Sequence, residues 1–213
     1  MIQVAPAAEP ERFDSTVRQP GLAAIRELVG EPPIKKRPGS KREKIAASRD
    51  AIPADAFPPF WREALDDMLG AYKRLCAYSC LGGGSVDHML PKSTHWDHVY
   101  EWSNYRLACM RMNTRKNEAA DVVDPFEVGD GWFALEFDEC QVICGPGIDA
   151  ATAAKVEATR TRLGLNELDC LKARQEYVRS YRDGEIPLDY LERRAPFIAR
   201  ELRRQGKLRT GDV

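Results

Sequence analysis

The sequence predicts an α+β protein: a strand–loop–strand–helix unit set in a mostly helical frame, with one additional β-hairpin. Three observations predict it. All three histidines, His88, His95 and His98, fall within residues 87–116, between a Gly82-Gly83-Gly84 loop and Asp124-Pro125. Apolar residues recur every three or four positions over 60–76 and again after residue 149, the period of helices packed on a core. Alternation over 131–137 and 140–144, with Asp138-Glu139 between, reads as a hairpin.

Residues 1–55 read as an arm with a basic linker, 56–130 as the core unit, and 131–213 as the hairpin with a helical extension. In the arm, 5–10 is rich in Pro and Ala, 21–29 predicts one short helix, and Pro32-Pro33 breaks the chain. Residues 34–49 carry seven Lys/Arg against the single Glu43. Such a run is either a solvated loop or a strap along a phosphate backbone. Pro58-Pro59 leads into the amphipathic helix at 60–76, whose Phe60, Trp61, Leu65 and Met68 form its core stripe.

Within the unit, 85–90 predicts a strand ended by Pro91, 102–107 a second strand, and 110–120 a helix. His95 and His98 lie in the long loop between the strands, one expected to pack on Trp96 and the other to be exposed. Beyond the hairpin, Asp149 or Thr152 caps a helix that Gly164 stops. Another helix runs from Asn166 towards Gly184, and 188–205 makes one or two more with a break at Pro196. The arginines and lysine at 193, 194, 200, 203, 204, 207 and 209 form a second basic cluster. It reads as a solvated helical cap, or as a second strap or partner-docking face.

At 43% hydrophobic and 31% charged, the 213 residues have the composition of a soluble globular protein. A net charge of −1 excludes a generically basic nucleic-acid binder, so any basic surface must be local. No cationic head precedes an apolar run at the start, and no apolar run is long enough to span a bilayer. Six cysteines without a secretory leader point to a reducing cytoplasm.

The chemistry suggested by residues 87–116 is that of a hard divalent cation beside a proton acceptor. Asp87 and the amide oxygen of Asn113 are candidate ligands for Mg²⁺ or Mn²⁺, with water and a phosphate completing an octahedral shell. His88, neutral near pH 7, is the candidate general base. Lys116, three residues after Asn113 and so on the same helix face, is placed to reach the phosphate. Lys92, Arg106, Arg111 and Arg115 supply positive charge for a phosphodiester backbone.

Asp87-His88 followed by Pro91, Asn104, Leu107, Cys109, Asn113 and Lys116 resembles the HNH, or ββα-metal (His-Me finger), nucleases in their H-N-N form. The resemblance covers residues 76–128. It implies that His88 is the general base, that Asp87 and Asn113 hold the metal, and that Asn104 braces the loop carrying the histidine. It implies Mg²⁺-dependent hydrolysis of a nucleic-acid phosphodiester, DNA before RNA, and by analogy a phage-defence effector controlled by an ATPase partner. A homodimer would place two sites on one duplex.

The cysteines depart from that family. Its zinc-binding members carry two CxxC pairs, whereas here the first is stretched to Cys76-Ala77-Tyr78-Ser79-Cys80 and Met112 stands where a partner of Cys109 would be. Buried reduced thiols, not a structural zinc, are the expectation. Two other readings stay open: a non-catalytic nucleic-acid-binding or partner-docking module of the same shape, and a zinc-stabilised domain built on Cys76, Cys80, Cys140 and Cys144.

Overall fold

The computed structural model describes residues 1–33, 43–79 and 81–212. Most of the basic run at 34–49, and Cys80, therefore lie outside the described residues. Among those described are seven α-helices and two separate two-stranded antiparallel sheets, so the α+β class holds.

Strands β1 (Ser85–His88) and β2 (Tyr105–Ala108) pair with Val86 opposite Leu107 and His88 opposite Tyr105. All eight residues are buried, because both faces of this hairpin are covered. One face carries Val86, Tyr105 and Leu107 into a cluster with Phe13, Val17, Ile25, Phe57 and Met68. The other turns Ala108 towards Tyr78, Met112, Phe133, Val156 and Leu202. The hairpin is thus a partition between two cores. Burying any one of the larger of these side chains contributes about 2 kcal/mol.

The first core explains why residues 1–33, read from sequence as an arm, are packed. A π-helical turn (Asp14–Arg18) runs without a break into α1 (Gln19–Leu28), and Pro20 follows directly on the π-helical turn. Val17, Ala24, Ile25 and Leu28 are buried along one face, and Phe13 sits edge-on to Trp102 and Tyr105. Arg18 ties this helix to Glu101 of the motif loop. The described end of the basic run is packed too: Ala46 is buried, and Arg49 pairs with Glu31 and lies over Trp96.

The helix predicted over 60–76 is shorter and changes type. A 3₁₀ segment (Phe60–Ala64) leads into α2 (Leu65–Ala71), and Lys73 and Arg74 both adopt positive φ, which ends the helix. The chain then reverses so that the Ala77 N–H bonds to the Leu107 carbonyl at 2.8 Å, bringing Tyr78 under β1.

Helix α3 (Met110–Lys116) packs on β1 and stops at Asn117, φ +43°, four residues before the sequence reading. The second hairpin, β3 (Phe133–Leu135) with β4 (Val142–Cys144), forms within the predicted stretch, although Phe133, Ala134 and Leu135 are all buried and do not alternate. Asp149 caps α4 (Ala150–Leu163) by accepting from the Ala151 and Thr152 N–H groups, and Gly164 ends it in the left-handed region. Helices α5 (Leu168–Arg182), α6 (Leu188–Arg194) and α7 (Pro196–Arg204) complete the frame, with the break at Ala195-Pro196. Glu201 of α7, fully buried, accepts from the Leu135 N–H and so fixes β3. No helix among the described residues is long and apolar enough to cross a membrane.

Candidate active site

A cavity of about 620 Å³ opens at the edge of β1, and Asp55, Trp61, Asp87, His88, Lys92 and Asn113 all line it. Alternation along the strand separates Asp87 and His88 onto opposite faces. His88 faces the first core, edge-on to Trp61 at 5.0 Å and to Tyr105 at 5.1 Å. Asp87 faces α3 and Tyr78.

The His88 ring is fixed in one tautomer. Its Nε2 lies 3.0 Å from the Val99 carbonyl, which can only accept, so Nε2 carries the hydrogen and Nδ1 keeps the lone pair. Burial pushes the ring's pKa down to about 3; the charges of Lys92 and Lys116 act the same way, and the Val99 bond opposes them. The imidazole is therefore neutral at pH 7, with its lone pair on Nδ1.

Asn104 does not line the cavity; it builds the loop around it. Its Oδ1 accepts from the Leu90 N–H at 2.7 Å, and its Nδ2 donates to the Leu90 and His98 carbonyls at 3.2 and 3.0 Å. With the Met89 N–H on the Asn104 carbonyl, both ends of the long loop are pinned to one residue.

On the other face, burial raises the Asp87 carboxyl to about 6, against the pull of Lys116 and of the hydrogen bond from Tyr78. The Tyr78 hydroxyl donates at 2.5 Å, an interaction that the sequence reading missed. Asn113 donates through Nδ2 to the Val86 carbonyl at 3.1 Å and the Ser85 hydroxyl at 3.2 Å. Both amide hydrogens are thereby occupied, and Oδ1 is the atom left for a ligand in the cavity. A buried carboxylate and an amide oxygen lining one cavity are donors of the kind hard cations take. The described residues hold no cluster of three His, Cys, Asp or Glu side chains for a metal, so water and substrate oxygens would have to complete any shell.

Lys116 is not brought to the phosphate position. Its side chain is fully buried, Nζ donates to the His88 carbonyl at 2.6 Å, and the Asp87 carboxylate lies 3.4 Å away. Arg106 is also absent from the cavity: it is buried on Phe126, in a bidentate pair with Asp124. Arg111 and Arg115 lie on the outer side of α3, paired with Asp169 and Glu167 of the α4–α5 region. Only Lys92, of the four cations expected near the site, lines the cavity.

No protein-family model matches this chain, and no curated protein matches it. The geometry therefore carries the functional reading by itself.

The remaining sequence candidates sit elsewhere. His95 bonds to Thr94, the His95 and His98 rings lie 6.2 Å apart, and Arg49 instead of a histidine covers Trp96. Burial holds the Cys76 thiol well up, while its neighbour Cys109 is drawn down to about 6, interaction with Cys76 being the first cause. Cys140 and Cys144 contact different carbonyls, of Phe137 and Ala153. In the C-terminal basic cluster, Arg193, Arg200, Arg203, Arg204 and Arg209 each pair with a carboxylate, which leaves little net charge for a strap. Trp61 is the lining residue that sequence periodicity concealed, because its spacing matched the core stripe.

Proposed function

We propose that the chain is a metal-dependent endonuclease of the HNH, ββα-metal kind, hydrolysing phosphodiester bonds in nucleic acid, with DNA as the first substrate to test. One observation carries the reading: a neutral histidine with Nε2 fixed on a carbonyl shares a cavity with Asp87 and the free oxygen of Asn113. A binding module needs no such oriented base. The paired arginines also argue against a broad basic docking face.

In this mechanism His88 Nδ1 accepts the proton of the attacking water. Burial is the main cause of this base's depression to about 3, with the Lys92 and Lys116 charges adding to it. A bound phosphodiester anion would offset the smaller, lysine part of that depression. Asp87 and Asn113 Oδ1 would hold Mg²⁺ or Mn²⁺, which supplies charge stabilisation at the leaving oxygen and at phosphorus. Tyr78 and Lys116 position the Asp87 carboxylate, and Asn104 and Val99 position the base. Control by an ATPase or other regulatory partner, and pairing of two copies to cut both strands, belong to the same proposal.

The test is cleavage of supercoiled plasmid with Mg²⁺ or Mn²⁺, comparing wild type with His88→Ala and Asn113→Ala. Metal-dependent nicking or linearisation that both substitutions abolish supports the reading. Cleavage that persists in His88→Ala refutes the assigned base, and a wild type inert on DNA and RNA alike favours a docking role.

A further inference from the structure

We propose that Lys92, held against the indole of Trp61, is the cation that meets the scissile phosphate, the role Lys116 cannot fill. The inference rests on the nuclease reading and names a catalytic residue and its positioning partner within that site.

The Lys92 ammonium lies 4.4 Å from the centre of the Trp61 ring, a cation–π distance. The same indole presents its edge to His88 at 5.0 Å and stacks near Tyr100 at 6.2 Å. The Tyr100 hydroxyl in turn donates to the Pro58 carbonyl at 2.8 Å, so the platform is anchored at its far side. Trp61 therefore fixes a general base and a positive charge relative to each other.

Lys92 is half-buried, and that burial lowers its pKa, opposed by the more distant charges of Asp55 and Glu118. Its charge is felt at the His88 ring, where it disfavours the imidazolium. Among the described residues no carboxylate forms an ion pair with it. A cation kept partly dry on an aromatic face, in the cavity that the base also lines, stabilises negative charge more strongly than one in bulk water. As a phosphodiester enters, the ammonium gains a counter-charge.

The experiment measures kcat and KM for plasmid nicking in saturating Mn²⁺ for wild type, Lys92→Ala, Lys92→Arg, Trp61→Phe, Trp61→Leu and the Trp61→Leu/Lys92→Ala double variant. Binding of a short fluorescein-labelled DNA duplex in EDTA is measured alongside, and circular dichroism confirms folding of each variant. Lys92→Ala is expected to lose about 100-fold in kcat, as when one transition-state donor is removed, with much smaller changes in KM and in duplex affinity. Lys92→Arg keeps charge and stacking and retains most of the rate, and Trp61→Phe falls between wild type and Trp61→Leu. Trp61→Leu is expected to cost less in the Lys92→Ala background than in the wild type, because part of the indole's effect runs through the lysine and the rest through its contact with His88.

A folded Lys92→Ala that nicks at the wild-type rate overturns the proposal while leaving the nuclease reading intact. So does a loss confined to KM and duplex affinity, which marks Lys92 as an ordinary backbone contact. Multiplying effects in the double variant overturn the link to Trp61, and a wild type that cuts nothing overturns both readings.

Discussion

Lys116 Nζ donates to the main-chain oxygen of His88 at 2.6 Å while its charge faces the Asp87 carboxylate 3.4 Å away. One buried ammonium thus holds the backbone of the base and the side chain of the metal ligand. Removing one partner of a buried pair leaves the other charge unsolvated, and such losses run to about 4 kcal/mol. Lys116→Met should lower the folding free energy by about that much in urea denaturation. Adding Asp87→Asn should restore part of the loss. A Lys116→Met protein as stable as wild type would show that the ammonium is not buried in solution.

The two faces of β1 should show opposite pH dependence in EDTA. His88 is depressed from 6.5 to about 3, so its contribution is present above pH 6.5 and is lost as pH falls towards 3. Asp87 is raised from 3.8 to about 6, so its contribution is present below 3.8 and is lost as pH rises through 6. Each changes stability by about 1.4 kcal/mol per pH unit in its window. Between pH 6 and 4 the two cancel in the wild type. Relative to wild type, His88→Asn should gain about 3 kcal/mol on acidification across that window and Asp87→Asn should lose about as much. Parallel stability curves for the three proteins would contradict both shifts.

Asn104→Ala removes three hydrogen bonds that close the loop between the strands. The expected cost is about 3 kcal/mol, with the damage concentrated in that loop. Hydrogen exchange checks it: the Leu90 amide should lose protection while the amides of α4 and α5 keep theirs. Uniform loss across the molecule would mean that Asn104 acts on global stability instead.

Cys109 should be the most readily alkylated thiol. Its pKa is drawn down to about 6, with interaction with Cys76 as the first cause, whereas burial keeps Cys76 itself protonated. Iodoacetamide labelling should show one fast cysteine whose midpoint lies below that of an ordinary thiol, absent from Cys109→Ser. In Cys76→Ala the midpoint should move upward. A fast site that survives Cys109→Ser would assign the reactivity to another cysteine.

The order of elements was legible because its signals are local. Pro91, Gly164 and Pro196 punctuate the chain where the sequence places them, and Asp149 announces its helix three residues ahead of the Thr152 N–H that it accepts. Lengths were less legible. Nothing in Lys73-Arg74 forecasts positive φ, and Asn117 stops α3 inside a run of good helix formers. The fates of the cations were not legible at all. Arg106 and Lys116 read as surface charge until Asp124 and Tyr78, remote in sequence, close around them and around Asp87. Trp61 was hidden for the same reason: a residue at the border of core and cavity has the periodicity of the core.

The partition formed by β1 and β2 has a consequence for synthesis. The face bearing Asp87 is covered by residues as far along as Leu202, and β3 is fixed by Glu201. A ribosome-bound chain has thus translated Asp87, His88 and Asn113 long before it has the helices that hold them. On the nuclease reading, the growing polypeptide is harmless to nearby nucleic acid until α7 emerges. Chain order alone would time the onset of cutting, with no separate inhibitor required.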